Sequence, residues 1–287
     1  MLIDLQLHSA YSDGYLTPTK LAEIIAKQGV KTAALTDHNT VAGLNEFRAA
    51  CKKKNIKPII GLELYVKFKS RKLNLLWYNF DDTNFQLHDI LRESQVRRRA
   101  SVRKILQKLQ QIDFRIDIEK QLDKYNHYIP VNHVISDLIS YSANFKRIKK
   151  ELSSKNPREE EIINQYFTNK EIAVLRESYL SVERIFRLRE KIGGQLVLCH
   201  PAKFSYVKRE MLLALKKMGL DGIEILSPHH SYGAIMYLQH LAREMNFITT
   251  GGSDFHRFEG NNYPLQQSWQ YYKINSELLS GIKKIIG

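Results

Sequence analysis

An α/β fold, with parallel strands joined by crossover helices and interrupted by a helical insertion, is predicted by three features of this 287-residue chain. Short apolar runs alternate with helical patterns in its first and last parts, the signature of βα units. Between about Asn84 and Lys191 the pattern turns almost wholly helical and strongly charged. Histidines and carboxylates recur where the apolar runs end, the position at which the loops of a parallel barrel face one mouth. At about 150 residues per domain, the length suits two domains or one barrel carrying an insertion.

The elements follow in order. Leu2 to Leu7 reads as a strand. In TPTKLAEIIAKQG, Thr17 is an N-cap, Pro18 takes the first helical position, Leu21, Ile24 and Ile25 form the apolar stripe, and Gly29 stops the helix. A strand at Thr32 to Leu35 precedes a helix from about Val41 to Lys54; Ile59 to Phe68 and Leu73 to Phe80 are further strands. After the insertion come strand Gln195 to Cys199, helix Lys208 to Lys217, strand Asp221 to Leu226, helix Gly233 to Met245 and strand Phe247 to Thr250. A terminal helix spans about Ser276 to Ile286. The barrel is therefore expected over residues 1–83 and 192–287, and the insertion over 84–191.

Composition narrows the function. With 43% hydrophobic and 26% charged residues the chain is neither disordered nor lipid-embedded. Its 44 Lys plus Arg against 30 Asp plus Glu leave a formal +14, which favours anionic partners such as nucleic acid, nucleotides or phosphate esters. Much of that surplus lies in the insertion, in runs such as QVRRRASVRK. Cys51 and Cys199 make no disulfide framework and no CxxC site. No run approaches the ~20 apolar residues of a membrane helix, and the first residues lack a signal-peptide pattern, so a cytoplasmic protein is expected.

The chemistry-bearing residues are His8 and Asp13 in HSAYSDG, Asp37 and His38 in TDHNT, Glu63 in GLEL, His200 after QLVLC, and Asp254 with His256 in GGSDFH. A strand period of 2 puts Asp4, Gln6 and His8 on one face and Ile3, Leu5 and Leu7 on the other. The same alternation puts Leu198 and His200 on a shared face. Mixed imidazole and carboxylate donors in one pocket suit Zn, Mn or Fe better than an oxygen-only Ca site.

The segments DLQLHSAYSDG, LTDHNT, GLELYV, LCHP and GGSDFH, in this order and with a helical insertion between the third and fourth, resemble the PHP family, named for polymerase and histidinol phosphatase domains. The likeness covers nearly the whole chain and is strongest to its stand-alone phosphoesterase branch of 3′,5′-nucleoside bisphosphate phosphatases and 5′-to-3′ exoribonucleases. The resemblance implies a distorted (βα)7 TIM-like barrel holding one to three divalent ions (Mn, Zn, Fe or Mg). It also implies a metal-dependent phosphoric ester hydrolase acting on nucleotides or on RNA or DNA ends.

Carried over by position, the family ligands fall on His8, Asp13, His38, Glu63, His200, Asp254 and His256, while Gln6 and Asn74 stand where the family has further ligands. The first ion would face Gln6, His8, Glu63 and Asp254, the second Glu63, Asn74 and His200, the third Asp13, His38 and His256. A neutral amide is a poorer donor than imidazole for transition metals, so one robust ion is expected. His38, Asp254, His256 and His200 are the expected catalytic residues, with His200 or His256 assisting proton transfer. His133 and Arg98 are candidates for substrate phosphate. His229 and His230 read as a solvated loop. Two other readings stay open: a partly degenerate domain serving as a nucleic-acid-binding or structural module, favoured by Gln6 and Asn74, and a histidinol phosphatase.

Overall fold

The computed structural model describes residues 1–203, 207–257 and 273–287. One unit comprises Met1–Ile90 and Tyr179–Gly287, and a second comprises Leu91–Ser178.

In the first unit β1 (Leu2–Leu7), α1 (Pro18–Lys27), β2 (Thr32–Leu35), α2 (Leu44–Lys53), β3 (Lys57–Phe68) and β4 (Arg71–Tyr78) come first. Helix α3 (Phe85–Gln111) then leads into the second unit, which holds α4 (Ile118–Asp123), α5 (Val131–Ser140), α6 (Ser142–Glu151) and α7 (Glu159–Ile162). The chain returns through β5 (Leu180–Ser181), α8 (Val182–Ile192), β6 (Gln195–Leu198), α9 (Arg209–Lys217), β7 (Gly222–Leu226), α10 (Tyr232–Glu244), β8 (Ile248–Gly251), β9 (Ile274–Asn275) and α11 (Lys283–Ile286).

The sheet runs β8-β7-β6-β4-β3-β2-β1-β9, with β5 paired beside β3. It curls into a nearly closed barrel. Past the end of β8, Leu7 bridges Phe255 in parallel, the His8 amide donates to the Phe255 carbonyl at 3.0 Å, and the Ser253 amide donates to Asp4 at 2.9 Å. Gly252 is required at this seam, since a Cβ there would lie 2.4 Å from the Gln6 Cβ. The fold is thus the distorted TIM-like barrel expected, with one departure from parallel order: β4 runs antiparallel to both β3 and β6. Only Lys69 and Ser70 separate β3 from β4, enough for a hairpin and far too few for a crossover.

Local rules account for most elements. The Thr17 hydroxyl accepts from the Lys20 amide and Leu21, Ala22 and Ile25 are buried, as the capped amphipathic pattern requires. These residues pack with Leu7, Leu35, Leu44 and Phe47 in a cluster joining α1 and α2 to the strands. A second cluster gathers Ile3, Leu5, Ala34, Ile59, Leu76, Tyr78 and Val197 with the C-terminal Leu279, Ile282, Ile285 and Ile286. The second unit has its own core, including Leu106, Leu109, Phe114, Leu122, Leu138 and Tyr166.

Three expectations need correction. Helix α2 starts at Leu44 rather than Val41, because the Thr40 hydroxyl accepts from the Ala42 amide and holds a turn there. The C-terminal segment is not one helix. A 3-10 turn at Ser276–Leu278 gives way to extended Leu279 and to Gly281 at φ 69°, because Ser280 exchanges hydrogen bonds with Thr249 instead of continuing a helix. Strict alternation fails in β1, where the register slips between Asp4 and Leu7. Ile3 and Leu5 join one apolar cluster and Leu7 another; Gln6 and His8 both reach Glu63, whereas Asp4 faces Ser253.

Candidate metal centre

The carboxyl ends of β1, β2, β6 and β8 and the middle of β3 deliver the donors to one place. His8 ends β1 and is fully buried; its Nε2 lies 3.2 Å from a Glu63 oxygen and 3.2 Å from an Asp254 oxygen, and its Nδ1 lies 3.6 Å from Asp13. Asp13 also faces His38 at 3.4 Å and His256 at 3.3 Å. The rings of His8 and His256 stack with centroids 4.2 Å apart, and His38 stacks on Tyr65 at 4.4 Å. Among the described residues three donor groups result: His8, Asp13, His38 and His256; His8, Glu63 and Asp254; and Glu63, Cys199 and His200.

The loop after β1 is shaped by short polar side chains. Gly14 is needed for its return, because a Cβ there would stand 2.2 Å from the His8 carbonyl oxygen. Asp37 accepts from the Ser9 amide at 2.7 Å, the Ser9 hydroxyl at 2.6 Å and the Ser12 hydroxyl at 2.7 Å, so it braces this loop. Two site residues adopt left-handed backbone, His200 at φ 23° and Asp254 at φ 49°. The turn at His200 overrides the expected sharing of a face with Leu198: Cys199, which follows Leu198, and His200 both approach Glu63.

Glu63 is the hub, and the two departures from the family pattern act on it. Asn74 donates to one of its oxygens at 2.6 Å and Gln6 to the other at 2.9 Å. Gln6 also donates to the Cys199 sulfur at 3.1 Å. Its Oε1 is buried without a hydrogen bond among the described residues.

Burial and neighbouring charges oppose one another throughout this group. Burial penalises the Glu63 carboxylate, but His38, His200 and His8 outweigh it and hold its pKa well below the usual range. Asp254 is likewise buried yet held well below its ordinary value by His229 and His8, and Asp13 is lowered by His38, His256 and His8 against burial. Burial wins at His38, pushed down to about 4. At His8 burial is overcome by Asp254, Glu63 and Asp13, which raise it. Both His8 ring nitrogens nevertheless make no hydrogen bond among the described residues. Two ionised carboxylates converging at 3.2 Å on one buried imidazole call for a cation, met by a proton on His8 in the metal-free protein; with that proton released, this donor set fits a divalent ion.

Neighbouring groups set tautomers and orientation. His256 Nδ1 is 2.7 Å from the Asp254 carbonyl oxygen, which only accepts, so Nδ1 carries a proton and Nε2, 3.3 Å from Asp13, is the nitrogen left for a metal ion. The loop after β7 is not merely solvated. His229 bonds Asp254 at 2.6 Å, and His230 is buried, its Nδ1 donating to the Ile225 carbonyl at 2.8 Å and its Nε2 accepting from the Ala202 amide. Lys203 stands 3.4 Å from Asp254. Glu224, buried and pushed well up by burial and then by Asp254, accepts from the His200 amide at 2.7 Å. Cys199, His229, Lys203 and Glu224 had a single usable signal, their place at the ends of β6 and β7.

Arg98 and His133 belong to the second unit. Arg98 is 1% exposed; it donates to the Ile129 carbonyl, pairs with Glu177 at 2.8 Å and lies over the Tyr128 ring. The guanidinium proposed for substrate phosphate is thus buried beside Ile129, Glu177 and Tyr128. His133 lies in the first turn of α5, 6.2 Å from the Tyr125 ring.

A nearly closed barrel with imidazoles and carboxylates at the carboxyl ends of its strands defines a metal-site barrel protein. The chain belongs to the PHP domain family, whose model matches residues 4–225. It is 25% identical over 256 residues to a 5′-3′ exoribonuclease of Haemophilus influenzae, covering 88% of this chain and 89% of that one. It is 27% identical over 264 residues to a phosphoribosyl 1,2-cyclic phosphate 1,2-diphosphodiesterase of Eggerthella lenta, covering 89% and 94%. To a 3′,5′-nucleoside bisphosphate phosphatase of Chromobacterium violaceum it is 24% identical, covering 88% and 87%. The fold recurs in the solved structure of an amidohydrolase from Chromobacterium violaceum, with TM-score 0.72, 21% identity, and 95% and 97% of the two chains covered. No helix among the described residues is long and apolar enough to cross a membrane.

Proposed function

We propose that the protein is a metal-dependent phosphoesterase that hydrolyses phosphate esters of nucleotides or short oligonucleotides. The observation that carries this reading is the approach of His8 Nε2 to both Glu63 and Asp254 at 3.2 Å without a hydrogen bond. His8, Asp13, His38 and His256 would hold the tightest ion, because that group has two unshared imidazoles besides His8 and none of its members depends on Gln6 or Asn74. Glu63, Asp254 and His200 would hold a second, weaker one, with the amides of Gln6 and Asn74 occupying Glu63. A bound divalent ion supplies Lewis acidity, drawing charge from a phosphoryl oxygen and acidifying water.

The side chains do the rest. His229 and Lys203 orient Asp254, the Asp254 carbonyl fixes the His256 tautomer, and Glu224 holds the backbone of His200. Where the second ion does not engage it, His200 Nε2, at the edge of the Glu63 group, is the group placed to give a proton to the leaving oxygen. The net charge of +14 favours encounter with phosphate-bearing substrates.

Purified protein with Mn or Zn should release phosphate from adenosine 3′,5′-bisphosphate or mononucleotides from 5′-phosphorylated RNA. His38→Ala and Asp254→Ala should each abolish the activity. RNA binding without turnover under any metal would favour the module reading, which the amide contacts of Gln6 and Asn74 support. Turnover of histidinol phosphate alone would favour the third.

A further inference from the structure

We propose that a cavity of about 370 Å³ beside the Glu63 group is the seat of the substrate's nucleobase. The inference rests on the phosphoesterase reading and adds which part of the substrate is recognised away from the reacting phosphate. Leu73, Leu198, Val207 and Met211 give the cavity apolar walls and Tyr179 an aromatic one. Cys199 and His200 belong both to its wall and to the Glu63 donor group, so cavity and donors form one continuous site. Asn74 also lines it while donating to Glu63.

The rim has the opposite character. Arg71 and Lys72 line the cavity and are exposed, and the Lys72 ammonium stands 5.0 Å over the Tyr179 ring. An apolar slot of this volume lies within the range of about 300–1,000 Å³ usual for small-ligand sites. Two cations at its edge exclude a purely apolar occupant, and an aromatic wall favours a flat π-system. A nucleoside phosphate meets all three requirements: base between the leucines and Tyr179, one phosphate at the donors, and a second phosphate, where present, at Arg71 and Lys72.

The experiment compares adenosine 3′,5′-bisphosphate with ribose 5-phosphate, which has no base. In wild type, kcat/KM should favour the nucleotide, and Met211→Trp, which fills the slot, should lower the ratio of the two kcat/KM values about tenfold or more. Arg71→Ala, at an exposed position on the rim, should lower the same ratio about threefold to tenfold. Equal kcat/KM for the two substrates in wild type, or a ratio that neither variant changes, overturns the base site and leaves the hydrolase reading intact. Hydrolysis of neither substrate defeats the hydrolase reading instead. The cavity is then judged by calorimetric binding of adenosine 5′-monophosphate, which Met211→Trp must weaken for the proposal to stand.

Discussion

Asn74 donates its side-chain amide to Glu63 across 2.6 Å, on the same carboxylate oxygen that faces His200 at 3.5 Å. An oxygen engaged by an amide hydrogen has less electron density for a cation. Replacing the amide with imidazole exchanges a proton donor for a lone pair in the same place. Asn74→His is therefore expected to raise tightly bound Zn or Mn by about one ion per chain, read by elemental analysis after loading and desalting. An unchanged metal content would mean that the amide is not what limits the Glu63 group.

His229 bonds Asp254 at 2.6 Å from a loop, and its side chain is about a third exposed. Its removal should leave folding intact while freeing Asp254 to rotate. His229→Ala is expected to weaken metal affinity and lower kcat/KM by about 10- to 100-fold, the usual effect of losing a group that orients a ligand. Calorimetric titration with Mn separates this from a purely catalytic role, which would leave affinity unchanged.

The motif residues were legible in the sequence because the end of a parallel strand places its next side chain at a common mouth, whatever the order of the strands. His8, Asp13, His38, Glu63, His200, Asp254 and His256 accordingly come together. The α1 cap and stripe were legible because they are local. The slip in β1 was hidden, because register is set between β1 and β2 and not within the β1 sequence itself. The direction of the Gln6 and Asn74 amides depends on Glu63, a partner that neither sequence neighbourhood contains. Arg98 looked like its neighbours in RRR, and tertiary partners such as the Ile129 carbonyl, Glu177 and the Tyr128 ring distinguish it. His229 and His230 are adjacent, yet one turns to Asp254 and the other to the Ile225 carbonyl.

Asp4 gives a pH signature. Burial raises its pKa from 3.8 to about 6 despite the hydrogen bonds from Ser253. Below the unfolded value both states are protonated; as pH rises from there, the unfolded chain loses the proton while the native one keeps it, so stability falls until the native value is passed and is flat beyond it. Asp4→Asn removes this loss, so its stability relative to wild type should rise by up to about 3 kcal/mol between about pH 4 and pH 7 in urea unfolding of metal-free protein. A pH-independent difference would contradict the buried-acid account.

Cys51 and Cys199 are both buried, at 0% and 2% exposure. Burial pushes the Cys51 thiol up to about 12, and burial followed by Glu63 and Glu224 raises Cys199 well above its usual value. Thiolate is the reactive form, so neither should react with a disulfide reagent at about pH 8 in the native protein, and both should react once it is unfolded. Rapid native labelling of Cys199 would show that the Glu63 group opens to solvent far more than its packing implies.

Asp37 is in none of the three donor groups, yet its carboxylate gathers three donors from the loop that carries Asp13 and its carbonyl accepts from the Glu63 amide at 3.3 Å. Asp37→Ala would strand a buried backbone amide and two hydroxyls, one of which also accepts from the Tyr11 amide at 3.2 Å. The expected cost is about 2–4 kcal/mol in urea unfolding, with metal affinity about 10- to 100-fold weaker as Asp13 loses its fixed position. Asp37→Asn keeps an oxygen for the Ser9 amide, and the hydroxyls can rotate to accept from the new amide, so this variant should recover most of the affinity. Burial already raises the Asp37 pKa, which lowers the penalty for a neutral group there. Equal loss in the two variants would mean that the charge, not the hydrogen-bonded shape of the loop, is what Asp37 supplies. Loss of stability in Asp37→Ala with unchanged metal affinity would mean that Asp13 is positioned without the brace.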